Sequence, residues 1–170
     1  MRLPKLFFGV LAVLALGVFA LVLARPEPLA PDAQLMTLAG ERLRTADLRG
    51  KVTVVNFWST TCGICLKEMP DLAQRHRTFA PRGYETVAVA MPRDDPARVR
   101  ELVERRRLPY KVAIDEDATA SEAFGNVRLT PTTFVIDRRG RILKRYVGKT
   151  PWAEFDRLVA RALEAPLPGP

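Results

Sequence analysis

Residues 52–70 read VTVVNFWSTTCGICLKEMP, and this stretch decides the fold. Its first seven residues, Val52–Trp58, are almost all apolar, β-branched or aromatic, a pattern typical of a strand buried on both faces of a sheet. The hydroxyl residues Ser59, Thr60 and Thr61 then interrupt the run and suit a helix N-cap. The stretch therefore predicts a buried strand that passes directly into a helix.

Two cysteines, Cys62 and Cys65, lie where the predicted strand becomes the helix. Unsatisfied N–H groups and the dipole at a helix N-terminus favour a thiolate and lower its pKa. We therefore expect Cys62 to attack a disulfide and Cys65, one turn deeper, to resolve the mixed disulfide. A C-x-x-C motif alone also fits half of a zinc site or two structural thiols. Its position after a buried strand favours redox chemistry.

The segment VNFWSTTCGICLKEMP resembles the active site of membrane-anchored thioredoxin-like thiol–disulfide oxidoreductases of the TlpA/ResA/DsbE type. The usual pattern there is VNFWA-x-WC-x-PC-x-x-E-x-P, and the likeness extends from about Leu35 to Leu163. Thr61 replaces the usual Trp before the first cysteine, and Ile64 replaces the usual Pro between the two. Because the dipeptide between the cysteines tunes thiolate stability, these departures bear on the redox potential and not on the reaction type.

The resemblance implies an α/β, thioredoxin-like fold: a central mixed sheet flanked by helices, with an N-terminal hairpin and a central αβ insertion. The sequence pattern predicts a matching series of elements after the buried strand, and the active-site helix is expected to run to about Phe79. The other predicted elements are a hairpin over Leu35–Arg44, strands over Tyr84–Met91, Lys111–Asp115, Thr132–Asp137 and Arg141–Val147, and helices over Ala97–Arg107, over Thr119–Phe124 and from Pro151 onwards with Thr150 as N-cap.

The N-terminus carries Leu6–Ala24, an uncharged run of 19 residues that follows Arg2 and Lys5. At about 1.5 Å per residue it spans about 28 Å, close to the hydrocarbon thickness of a bilayer. A cleaved signal peptide usually has an apolar region of only about 7–15 residues. We therefore favour a signal-anchor helix in residues 1–25 over a peptide cleaved after Ala24. The positive-inside rule then places the domain on the periplasmic or extracytoplasmic side of the cell membrane.

The remaining boundaries follow from composition. Residues 26–34 are expected to be a Pro-rich linker, residues 35–165 the thioredoxin-like domain, and residues 166–170 a disordered tail. Two cysteines in 170 residues are too few for a disulfide framework, which favours a catalytic pair. The net charge of +8 indicates a solvated basic surface, and contact with anionic lipid or an acidic partner is the alternative. No nucleic-acid motif is present, so no nucleic-acid partner is expected.

The resemblance implies three further kinds of site residue. Pro131 is expected to be cis and to face the cysteines, which leaves the Thr130 backbone free to pair with an extended substrate chain; the alternative is an ordinary trans-Pro that opens a strand. Glu68 is implied to be a buried acid that handles protons at the cysteines, against the alternative of a solvated Glu beside Lys67. Trp58 is expected to pack beside the active site, either in substrate binding or as structure only.

Asn56 stands where cytosolic thioredoxins usually carry a buried Asp, so Glu68 is expected to act as its substitute. His76, the sole histidine, lies about 16 Å along the helix from Cys65 and is interpreted as a surface residue. No metal site is therefore expected: copper or zinc delivery through the C-x-x-C, the alternative function, lacks a third ligand. A peroxidase pattern fails because Val55 stands where its Pro should be.

The function expected from the resemblance is a membrane-tethered reductant of protein disulfides. An anchor would place the domain beside an integral membrane thiol electron donor, which a dithiol needs in an oxidising compartment. Known substrates of the family include apocytochrome c, whose haem-attachment C-x-x-C must be reduced before haem is ligated. No cofactor is expected, because the electrons reside in Cys62 and Cys65.

Overall fold

The computed structural model describes residues 27–166 and the single residue Gly17. The predicted membrane helix in residues 1–25 therefore lies outside the described residues apart from Gly17, and the predicted tail lies outside them beyond Pro166. In the part of the chain that is described, no helix has the length and apolar character needed to cross a membrane.

The described chain contains every element that the sequence predicts for residues 35–165, with bounds that differ by about one residue. The strands are β1 (Gln34–Thr37), β2 (Arg42–Arg44), β3 (Val52–Trp58), β4 (Tyr84–Ala90), β5 (Lys111–Ile114), β6 (Thr132–Ile136) and β7 (Ile142–Val147). The α-helices are α1 (Gly63–Phe79), α2 (Pro96–Arg106), α3 (Thr119–Ala123) and α4 (Trp152–Glu164), and short 3-10 turns lie at Thr45–Leu48 and Ala80–Arg82.

All seven described strands form one mixed sheet in the order β2-β1-β5-β4-β3-β6-β7. Strands β3, β4 and β5 are parallel to one another. On one side β6 pairs antiparallel with β3 and β7 antiparallel with β6, and on the other side β1 pairs antiparallel with β5 and β2 antiparallel with β1. Strand β3 lies inside the sheet, and six of its seven residues are buried. The thioredoxin-like mixed sheet is thus confirmed. Strand β3 is apolar along its length because both faces of the sheet are covered there.

Helices α1, α2 and α4 pack on one face of the sheet, and α3 packs on the other. Residues Val52, Val54 and Trp58 of β3 belong to the apolar cluster formed with the first three helices, while Val55 and Phe57 belong to the cluster that includes α3. This division follows from the alternation of side chains along a strand. The crossovers β3–α1–β4 and β4–α2–β5 proceed in the same direction, so right-handed connections place both helices on one face.

Four connections meet at one edge of the sheet. Strands β3 and β4 are parallel and pair at their last residues, Trp58 and Ala90. Strand β6 begins with Thr132 opposite Phe57, and β7 ends with Val147 opposite Thr132. Residues 59–62, 91–95, 128–131 and 148–151 therefore lie together, and we call this side of the sheet the Trp58 edge.

The segment expected to be a linker, residues 26–34, is attached to the domain in its described part. Leu29 forms an antiparallel bridge with Arg141, and the amide of Ala30 donates a hydrogen bond to the carbonyl of Gly140 at 2.8 Å. The folded domain therefore begins before the predicted boundary at Leu35, because these backbone groups find partners beside the β6–β7 turn.

Candidate active site

Cys62 and Cys65 form a disulfide at the start of α1. Cys62 is the N-cap residue of this helix, and its Sγ accepts a hydrogen bond from the backbone N–H of Cys65 at 3.1 Å. The same N–H is in place to stabilise a thiolate on Cys62 when the disulfide is open. Cys62 is half-buried whereas Cys65 is 4% exposed, so a substrate reaches Cys62 first.

The hydroxyl residues before Cys62 do not cap α1, contrary to the prediction. Two of them, Ser59 and Thr60, instead bind the buried carboxylate of Asp94, in the loop after β4. Its Oδ1 accepts hydrogen bonds from the Thr60 backbone N–H at 3.0 Å, the Thr60 hydroxyl at 2.5 Å and the Ser59 hydroxyl at 3.1 Å. Sequence reasoning missed Asp94. Its position just after β4 could have indicated it, because β4 is parallel to β3 and the two strands end side by side.

The peptide bond between Thr130 and Pro131 is cis, as the resemblance implies. The carbonyl oxygen of Thr130 lies 3.5 Å from Sγ of Cys62, so this backbone segment borders the nucleophilic sulfur. Pro131 is buried, and its own carbonyl accepts a hydrogen bond from the Gly148 amide at 2.8 Å. A chain that approaches Cys62 therefore meets the Thr130 backbone at the same place.

Glu68 is buried, with 8% of its surface exposed, so it is not a solvated helix residue. The backbone N–H of Thr150 donates to its Oε1 at 2.7 Å, and the Thr150 hydroxyl donates to its Oε2 at 3.2 Å. Glu68, Cys65 and Pro131 line one small cavity. Burial raises the pKa of Glu68 above its ordinary value, and the two hydrogen bonds from Thr150 partly oppose this shift.

Thr150 does not cap the last helix, which corrects a second capping prediction. The N-cap of α4 is Pro151, and no side chain caps it. The Thr150 hydroxyl instead faces Glu68, which is 82 residues away in the sequence. Local capping rules give no indication of such a distant partner, so the sequence identified Glu68 and missed the residue that holds it.

Trp58 is 1% exposed and packs in the core beneath α1. This burial fits the prediction that Trp58 packs beside the active site, and its role in substrate binding stays a prediction. Asn56 lines the same small cavity as Glu68, and its side-chain amide donates to the Thr133 hydroxyl at 2.9 Å. Asn56 thus occupies the place of the buried Asp of cytosolic thioredoxins without carrying a charge.

His76 is half-buried, so its interpretation as a surface residue was wrong. Its ring packs against Tyr84 and Tyr110, with centroid distances of 6.2 and 6.0 Å. Burial lowers the pKa of His76 below its ordinary value. Within residues 27–166, no three His, Cys, Asp or Glu side chains are grouped so that they could hold a metal ion.

Comparison with known proteins identifies the relatives of this chain. It matches the Redoxin family over residues 26–161. It is 34% identical over 149 residues to the thiol-disulfide oxidoreductase ResA of Bacillus subtilis (strain 168), covering 82% of each chain. It is 35% identical over 119 residues to ResA of Geobacillus thermodenitrificans (strain NG80-2), covering 70% of this chain and 67% of that protein.

A solved structure supports the same relationship. The thiol:disulfide interchange protein of the thioredoxin family from Chlorobium tepidum TLS superposes with a TM-score of 0.74 at 32% identity, covering 82% of this chain and 98% of that one. The cysteine pair at the start of α1 is consistent with the names of these relatives. The chain belongs to the redoxin family and is a thioredoxin-fold thiol–disulfide oxidoreductase of the TlpA/ResA/DsbE type.

Proposed function

We propose that this protein is a membrane-tethered extracytoplasmic oxidoreductase that reduces disulfides in partner proteins, with apocytochrome c during cytochrome c maturation as a candidate substrate. The observation that carries the proposal is the position of Cys62 at the N-cap of α1, where the Cys65 N–H contacts its sulfur at 3.1 Å. A thiolate held at this position is the form of cysteine that attacks a disulfide.

The proposed reaction starts from the reduced cysteine pair. The Cys62 thiolate attacks one sulfur of the substrate disulfide, so a mixed disulfide forms while the substrate S–S bond breaks, and the departing thiolate takes up a proton. Cys65 then loses its proton and attacks Sγ of Cys62, which forms the Cys62–Cys65 disulfide and releases the second substrate thiolate. Two electrons thus pass to the substrate, and we propose that no cofactor is needed.

We propose Glu68 as the group that handles the Cys65 proton in the second step. Both residues line the same small cavity, which supports a proton transfer between them. The raised pKa of Glu68 brings a carboxyl closer to the pH at which it exchanges protons efficiently. The hydrogen bonds from Thr150 fix the orientation of the carboxylate.

The proposed direction requires a steady source of electrons. An integral membrane thiol protein is the proposed donor, and the apolar run Leu6–Ala24 supports a tether that keeps the domain beside it. The location is tested by adding protease to intact spheroplasts. Degradation of the domain is expected there, whereas degradation only after lysis would contradict the extracytoplasmic orientation.

The direction of electron flow is tested by the reduction potential of the Cys62–Cys65 pair. Equilibration of the purified protein with reference thiol couples is expected to give a reducing potential, near the value of about −270 mV that thioredoxin has. A potential near that of a strong oxidant, about −120 mV, would contradict the reductase proposal. Reduction of an oxidised C-x-x-C-H peptide then tests the haem-attachment substrate.

A further inference from the structure

Three of the five large hydrophobic side chains that are exposed in the described chain lie in the first turn of α1 or in segments that meet at the Trp58 edge. Ile64, between the two cysteines, is 48% exposed; Leu129, in the loop that ends at the cis-proline, is 66% exposed; and Val147, at the end of β7, is 53% exposed. We call these three residues the apolar rim. Exposed apolar side chains gathered at one place and bordered by polar ones are typical of a surface that contacts another protein.

Five exposed basic side chains belong to the same region as the apolar rim. They are Lys67, Arg93, Arg106, Arg128 and Lys149, which we call the cationic ring. They come from five separate segments of the chain, so no single helix or loop explains their grouping. Three of them, Arg93, Arg128 and Lys149, lie in connections that meet at the Trp58 edge. Lys67 lies in α1, which starts there, and Arg106 at the end of α2 reaches α1 through a hydrogen bond.

One hydrogen bond and two positions in the chain place members of the cationic ring near the active site. The guanidinium of Arg106 donates to the carbonyl oxygen of Leu66, in the first turn of α1, at 2.6 Å. Arg128 adjoins Leu129 of the apolar rim in the chain, and Lys149 adjoins Thr150, whose backbone and side chain bind Glu68. The ring therefore borders the disulfide on more than one side.

The cationic ring has no charge partner within the described residues. None of its five side chains lies within 4.0 Å of a carboxylate in residues 27–166, although seven ion pairs form elsewhere on this part of the chain. Two carboxylates near the ring, Glu68 and Asp94, are buried and accept hydrogen bonds inside the protein, and Asp95 caps the start of α2. The edge around the disulfide thus presents unbalanced positive charge.

We propose that the apolar rim and the cationic ring form a docking surface for an acidic segment of the substrate protein, with an apolar residue beside the reactive cysteine. This inference rests on the proposed function, because the substrate chain must cover this edge while its sulfur is joined to Cys62. Complementary charge raises the rate of encounter, and the apolar contacts strengthen the complex once water is displaced. An anionic membrane would match the charge but would cover Cys62 without bringing a disulfide to it.

The test compares two synthetic peptides that differ only in charge. Each contains one disulfide with leucine next to the first cysteine; one peptide carries several flanking glutamates, and the other carries glutamines at the same positions. The reduced full chain in non-ionic detergent is mixed with either peptide, and formation of the Cys62–Cys65 disulfide is followed by alkylation after acid quenching. We expect the glutamate peptide to react about tenfold faster at low ionic strength.

Salt and matched variants separate docking from general electrostatics. Raising the ionic strength from about 0.01 M to about 1 M shortens the Debye length from about 30 Å to about 3 Å, so the rate ratio should fall towards one. The double variant Arg93→Gln/Arg128→Gln should lower the ratio several-fold at low salt. The control Arg82→Gln/Arg139→Gln removes the same charge at the opposite edge of the sheet and should leave the ratio unchanged.

The outcomes distinguish this inference from the function on which it rests. Equal rates for the two peptides, or equal effects of the two double variants, would overturn the docking surface while leaving a working reductase. Failure to reduce either peptide would overturn the proposed function itself. A third outcome would assign the ring to lipid instead. In that case the two peptides react at equal rates, and anionic vesicles slow the unaltered protein but not Arg93→Gln/Arg128→Gln.

Discussion

At Glu68, burial and hydrogen bonding act on the pKa in opposite directions. Burial disfavours the charged carboxylate and is the larger effect, so the pKa is raised, while the Thr150 N–H and hydroxyl favour the charged form. As pH rises through this raised pKa, a negative charge appears in the cavity that Cys65 also lines. That charge disfavours a thiolate beside it.

Glu68→Gln should therefore shift the pH profile of cysteine reactivity to lower pH. Glutamine keeps an oxygen for the Thr150 N–H but carries no charge, so the thiolates form more readily. The measurement is the alkylation rate of reduced Cys62 and Cys65 across pH. The matched control is Glu122→Gln, an exposed carboxyl on α3 at the other face of the sheet. Profiles that superimpose for Glu68→Gln and the unaltered protein would leave Glu68 without a proton-handling role.

Asp94 supports the loop that carries the nucleophile, and its loss should be costly. Asp94→Ala leaves the buried backbone N–H of Thr60 without a partner, a change worth about 2 kcal/mol of unfolding free energy. Asp94→Asn keeps one oxygen acceptor and should cost less. Urea unfolding measures both variants. A loss below about 0.5 kcal/mol for Asp94→Ala would mean that the loop holds its position without this carboxylate.

Between elements, Arg75 connects the active-site helix α1 to the last helix α4. Its Nε and Nη2 donate to the two carboxylate oxygens of Asp156 at 2.7 and 2.9 Å, and its guanidinium lies 4.1 Å from the ring centroid of Trp152. Paired hydrogen bonds and stacking both need the planar guanidinium, which a lysine lacks. This contact therefore fixes how α4 approaches the cavity that holds Glu68.

Arg75→Lys should lower the free energy of unfolding by about 1–2 kcal/mol, because the second hydrogen bond and the stacking on Trp152 are lost. The exposed pair of Arg105 and Glu101 on α2 gives a control, with N···O at 3.2 Å and both side chains in water. Arg105→Lys should cost less than about 0.5 kcal/mol. Equal losses for the two variants in urea unfolding would contradict the special role of Arg75.

Within residues 35–165, the sequence predicted the strands and helices to about one residue because each depends on a local pattern. The run Val52–Trp58 shows the double burial of a central strand, and the cysteines after it mark the active-site helix. The side chains around the site depend instead on distant partners. Thr60 and Thr150 both suit helix caps locally, but Asp94 and Glu68 bind them across the fold. Periodicity also gave no sign that two tyrosines would enclose His76.

Across the whole molecule, the pH dependence of stability should include a contribution from His76. Burial lowers its pKa from the ordinary value of 6.5, so the unfolded chain binds a proton more readily than the folded protein does. The contribution of the neutral His76 to the free energy of unfolding is fully present above pH 6.5, and it is lost as pH falls through the lowered pKa. Between about pH 7 and about pH 5, His76→Gln should therefore lose less unfolding free energy than the unaltered protein. Parallel pH curves would contradict this assignment.

The central claim for the molecule is that the sheet places a nucleophilic sulfur, Cys62, where a substrate disulfide reaches it, with Cys65 behind it. The most direct measurement is mass spectrometry of Cys65→Ser and Cys62→Ser after reduction and mixing with oxidised insulin. Cys65→Ser should accumulate a mixed disulfide on Cys62, because the resolving thiol is missing, whereas Cys62→Ser should form almost none. Equal adducts on the two variants, or full turnover by Cys62→Ser, would contradict the account.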